Sequence, residues 1–84
     1  MNNKSREAIF TQVANILRQE RLRQKLSMAR VAEKAGLSYQ MISYVERKMR
    51  NPTLDAMLRI TSALGLNLGE LIIKAERLSR DRSE

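Results

Sequence analysis

Helix breakers are scarce in this chain, and their positions limit what it can become. The only proline is Pro52, and the only glycines are Gly36, Gly65 and Gly69, in 84 residues. Inside a helix, glycine costs about 1 kcal/mol and proline about 3 kcal/mol relative to alanine, so the long stretches between these four positions are free to be helical. No segment alternates apolar and polar residues for more than a few positions, and only 4% of residues are aromatic, so no sheet is expected. The expectation is an all-α fold of five helices. A chain this short buries only about 60–65% of its unfolded surface. Residues 1–84 are therefore read as a single domain around one core, with no room for a separate catalytic or ligand-binding unit.

Apolar spacing and capping residues place the helices. Ile9, Val13, Ile16 and Leu17 recur at helical spacing and give a first helix over 5–24, with Ser5 as its cap and Glu7 in its first turn. After a break at Lys25 and Leu26, Ser27 caps a short helix over 28–35 that turns Val31 and Ala32 inward. Gly36 ends it in the left-handed conformation. Leu37 packs in, and Ser38 caps a third helix over 39–48 with Ile42 and Val45 facing the core. Residues 49–52 form a loop, because proline disfavours helix at the residue before it. Thr53 opens a fourth helix carrying Leu54, Met57, Leu58, Ile60, Thr61 and Leu64, which Gly65 closes. A fifth helix over 68–78 sets Leu68, Leu71, Ile72, Ala75 and Leu78 on the core face and leaves Ile73 outside it. Residues 79–84 are expected to fray.

Charge and composition narrow the function. The net charge is +7, and all of the excess lies in residues 1–52; residues 53–84 hold five basic and five acidic side chains. A polyanion would meet the first part, leaving the neutral remainder for other contacts, such as a second copy of the chain. Histidine and cysteine are absent. The commonest general base, the commonest neutral metal ligand and any thiol chemistry are therefore missing. No pair of carboxylates is flanked by glycine-rich turns or polar clusters. Neither an enzyme nor a bound metal or cofactor is expected. No apolar run exceeds three residues, as at Leu71-Ile72-Ile73, far short of the roughly 18 residues a membrane span needs, and the N-terminus carries no secretory apolar stretch. These features point to the cytoplasm.

Two short helices joined by Gly36-Leu37-Ser38 are the feature that carries function. Ala32 supplies the small side chain that a steep crossing needs, and Ile42 and Val45 pin the second helix to the first. Its outward face is then Tyr39, Gln40, Ser43, Tyr44 and Arg47, with Lys48 and Arg50 after it and Arg30 and Lys34 before it. A polar helix edged with cations fits a major groove.

The stretch LSMARVAEKAGLSYQMISYVERKMRNPTLDAMLRITSALGL resembles the helix-turn-helix proteins of the phage repressor, Cro and Xre family. The shared features are Leu26, Ser27, Ala32, Gly36, Ser38, Ile42, Ser43 and Glu46, followed by Asn51-Pro52-Thr53-Leu54-Asp55. The resemblance implies a lambda-repressor-like domain with its helix-turn-helix core at about 27–48, binding a palindromic operator in double-stranded DNA as a homodimer. It places Tyr39, Gln40, Ser43 and Tyr44 toward base edges, and Arg47, Lys48, Arg50 and Asn51 toward phosphates; Arg30 joins the phosphate contacts because a cation in a first helical turn is costly unless an anion lies beside it. It also implies a structural ion pair between Arg21 and Glu46. Leu66 and Ile73 are the candidate dimer contacts, and RNA polymerase is a possible partner. The alternative is an antitoxin-like module whose main partner is a toxin. The sequence departs from the family at Met28, where many members have a phosphate-contacting glutamine, and at Lys48, where many have glycine. Arg30 stands in a first helical turn, where an acid suits the helix dipole better.

Overall fold

The computed structural model describes residues 2–82. They form five helices, α1 (Asn3–Arg23), α2 (Met28–Ala35), α3 (Tyr39–Glu46), α4 (Leu54–Leu64) and α5 (Leu68–Arg82). Among the described residues there is no strand, and the expected five-helix all-α architecture holds. Both outer ends differ from expectation. The cap of α1 is Asn2 rather than Ser5, because the Asn2 Oδ1 accepts the Ser5 N–H at 2.8 Å, placing Ser5 inside the first turn. At the other end, residues 79–82 are helical. Ser79 is buried and donates its hydroxyl to the Glu76 carbonyl at 2.8 Å, extending the row Leu71, Ala75, Ser79 by one more turn. Residues 83 and 84, the rest of the segment expected to fray, lie outside the described residues.

Three of the four connections follow one plan. Lys25, Gly36 and Gly65 each adopt a positive φ, of 59°, 69° and 72°. In each case the next residue sends its N–H back five positions: Leu26 to the Arg21 carbonyl at 3.1 Å, Leu37 to Ala32 at 2.9 Å, and Leu66 to Thr61 at 2.8 Å. That leucine packs against the core, and the residue after it caps the next helix: Ser27, Ser38 or Asn67. This left-handed closure with an apolar staple satisfies the carbonyls a helix end leaves open. Leu66 is therefore a half-buried staple like Leu26 and Leu37, and does not belong to an exposed apolar patch. The fourth connection starts the same way. Lys48 has φ 61°, and the Met49 N–H reaches the Tyr44 carbonyl at 2.8 Å. But Met49 is 59% exposed, and the chain runs on through Arg50, Asn51 and Pro52 before Thr53 caps α4. Lys48 thus closes α3 two residues earlier than expected.

The core gathers Val13 and Leu17 of α1, Val31 of α2, Ile42 and Val45 of α3, Ile60 and Leu64 of α4, and Leu71 and Ala75 of α5. α1 and α5 pack along each other, while α2 lies against α3 and α4. The α5 seam is centred on Ala75. Ile72 sits at its edge and is 36% exposed, so it is not the core residue the apolar spacing suggested. Ile73, expected outside, is 58% exposed.

Candidate nucleic-acid interface

α3 is fixed from below and open above. Ile42 and Val45 hold it to the core, and a buried ion pair holds its last residue. The Arg21 Nε donates to Glu46 Oε2 at 2.7 Å and its Nη2 to Oε1 at 3.0 Å, while Nη1 donates to the Leu26 carbonyl at 2.8 Å. Both side chains are about nine-tenths buried. The fork therefore joins the end of α1, the first tight turn and the end of α3 through charge-assisted bonds. Hydrogen bonding by Glu46 raises the Arg21 pKa above its ordinary value, against burial, which works the other way.

Seen from outside, Tyr39 and Gln40 stand exposed at the start of α3. Arg47, Lys48, Arg50 and Asn51 stand exposed just past its end. Ser43, expected on the same face, is only 8% exposed. It lies one turn after Tyr39 and one turn before Arg47, and a short hydroxymethyl between two long side chains does not reach the surface. α3 is also covered on two sides, by α1 and α2. Tyr44 is half-buried, with the guanidinium carbons of Arg50 and Arg47 lying 5.0 and 5.9 Å from its ring centroid. Arg30 is exposed but paired with Glu33, so a phosphate would compete for it. Met28, standing where a phosphate-contacting glutamine is common, packs against the core instead.

The helix dipoles reinforce the charge. Because α1 starts at Asn3, Glu7 falls beyond its first turn, and none of α1, α2 and α3 has an acid there, whereas α4 begins with Asp55 and α5 with Glu70. The positive ends of α2 and α3 are thus left open to an external anion. Beyond the pairs Glu20–Arg23 and Arg30–Glu33, also missed in the sequence, three contacts stand out. Two could have been read from spacing: the Asp55–Arg59 pair, at 2.9 Å and four residues apart, and Arg47 over Tyr44, three residues apart. The third, Arg50 over Tyr44, depends on the left-handed Lys48, φ 61°, a position where many family members have glycine; that departure signals the backbone state but not the contact.

A helix-turn-helix family matches residues 17–71, which contain both short helices and the turn between them. The chain belongs to this helix-turn-helix family. Two relatives from Mycobacterium tuberculosis, strains CDC 1551 and H37Rv, are both named as uncharacterised HTH-type transcriptional regulators. Each is 33% identical over 61 residues, covering 73% of this chain and 44% of its own length. The chain therefore spans less than half of those regulators. Among solved structures, the wild-type restriction–modification controller protein C.Esp1396I superimposes with a TM-score of 0.71 at 26% identity, covering 80% of this chain and 91% of that one. A tyrosine-to-alanine variant of the same controller gives 0.78 at 20% identity, covering 89% and 97%, a likeness of fold. The family and five-helix fold expected from the sequence both hold.

Proposed function

We propose that this chain is a sequence-specific transcriptional regulator of the cytoplasm, binding duplex DNA as a homodimer on a palindromic operator. The observation that carries the reading is the open edge of α3, with Tyr39 and Gln40 exposed at its start and Arg47, Lys48, Arg50 and Asn51 exposed beyond its end. The N-terminal turn of α3 enters the major groove. Gln40 takes adenine through two hydrogen bonds, and Tyr39 meets a thymine methyl or a phosphate. The cations past the helix end hold phosphates, joined by Arg30 once it leaves Glu33. Regulation follows from occluding RNA polymerase or touching it. Family membership and the 26% identity with a restriction–modification controller support this reading.

Pairing two copies is the usual remedy for the few base pairs one such unit reads. The neutral segment 53–84, with Ile73 exposed on α5 and Leu54 and Leu58 exposed on α4, supports a symmetric apolar contact there. Selection from a random duplex pool is expected to return a palindromic motif. Gln40→Ala should relax it at one or two base pairs and lose about 1–3 kcal/mol on the best site. A pool that yields no motif sinks the reading. Sedimentation at micromolar concentration should give twice the monomer mass, falling toward monomer in Ile73→Asp.

A further inference from the structure

We propose that Tyr44 is a positioning residue whose ring holds Arg47 and Arg50 where they meet phosphate, and that it is not a reader of bases; this rests on the DNA-binding reading above. The two guanidinium carbons lie 5.9 and 5.0 Å from the ring centroid, within the roughly 6 Å reach of cation–π attraction. Arg47 arrives there by ordinary helical spacing, three residues on. Arg50 does not. Six residues of continued helix would carry it about 240° around the axis and about 9 Å along it. It lies over the ring because the chain reverses at Lys48, φ 61°, with the Tyr44 carbonyl accepting the Met49 N–H at 2.8 Å. Tyr44 therefore organises the turn with its backbone and both arginines with its ring.

Burial separates Tyr44 from the residues proposed to read bases. Its ring is half-buried, whereas Tyr39 and Gln40 are exposed. A long arginine loses rotamer freedom when it grips a phosphate, and a ring that already holds it removes part of that freedom beforehand. Two like charges on one ring also repel, and an arriving phosphate anion relieves the repulsion.

The test uses Tyr44→Leu, which keeps apolar bulk, and Tyr44→Phe, which keeps the ring. Duplex affinity is measured for the selected site and for unrelated sequence, and the Arg50 side-chain NMR resonances are recorded in the free protein. Tyr44→Leu is expected to bind both duplexes about 3- to 10-fold more weakly. It should select an unchanged motif and lose the ring-current displacement of the Arg50 protons. Tyr44→Phe should rescue affinity to within about twofold. The Tyr44→Leu loss should vanish when Arg47 and Arg50 are both glutamine. A changed motif in either variant overturns the assignment, as does unaltered affinity in Tyr44→Leu or an undiminished loss in the glutamine background. So do wild-type Arg50 protons that show no displacement. A wild-type chain that binds no duplex, yet shows the displacement, refutes the proposed function and with it this role, while leaving the stack itself in place.

Discussion

The turn between α2 and α3 and the loop between α3 and α4 begin identically and end differently. Both open on a left-handed residue, Gly36 in one and Lys48 in the other, with the same backward hydrogen bond from the residue that follows. In the turn, that following residue is Leu37, packed on the core, and Ser38 caps α3 at once. In the loop it is Met49, left in solvent, and three more residues precede the cap. The turn spends its residues on compactness. The loop uses the same closure to project Lys48, Arg50 and Asn51 outward. A motif that elsewhere only ends a helix here builds a surface.

The largest effect should come from the contact that links the two kinds of connection. Arg21 bonds the Leu26 carbonyl in one tight turn and Glu46 at the root of the loop. Arg21→Leu alone leaves a buried carboxylate unpaired and should cost about 3 kcal/mol in denaturant unfolding. The double change Arg21→Leu, Glu46→Leu should recover most of that loss; strictly additive losses would mean the pair carries no coupling. Next in size, Leu37→Ala should cost about 2 kcal/mol, and Met49→Ala less than about 0.5 kcal/mol. Equal losses would erase the distinction between staple and projection.

A smaller effect concerns the left-handed lysines. Lys25→Gly and Lys48→Gly should each raise stability by about 0.5–1 kcal/mol by relieving the Cβ crowding of a positive φ. Only Lys48→Gly should also weaken DNA binding and flatten its salt dependence by roughly one unit per subunit. If both leave binding intact, Lys48 is not a phosphate contact. The smallest effect is acid sensitivity. Hydrogen bonds from Arg23 and then Gln24 lower the Glu20 carboxyl to about 2, and Gln24 also donates to the Leu64 carbonyl at the next tight turn. A lowered folded pKa means this contribution is complete above the ordinary carboxylate range and is lost as pH falls from about 4.5 toward 2. Solvent around the exposed Arg23 reduces its size. Glu20→Gln should therefore lower stability slightly at neutral pH, leave the acid end nearly untouched, and so flatten the acid limb of the stability curve.

The sequence announces whatever is written in local chemistry. Gly36, Gly65, Ser27, Ser38 and Thr53 mark helix ends because few other residues suit those backbone states, and the core followed from apolar spacing. The misses share a cause. Asn2 and Ser5 both cap helices well, and nothing in the residue types chooses between them. Lys25 carries no left-handed signature, and Lys48 carries one only through the resemblance, since many members have glycine there. Ile72 and Ser43 lie at the borders of helical faces, where a wheel cannot tell burial from exposure and only the neighbours decide. Arg50 reaches Tyr44 across a reversal that spacing alone does not show. At the site, the exposed polar residues were legible one by one, and their mutual contacts were not.

The three-residue turns also bear on time. Helices joined this tightly make most of their neighbours close in sequence, and chains of that kind fold in microseconds to milliseconds. A ribosome adding about 5–20 residues per second needs several seconds to make 84 of them. Folding of these residues therefore adds almost nothing to the time their synthesis takes. How soon the five helices stand in place is set by how fast the chain is made.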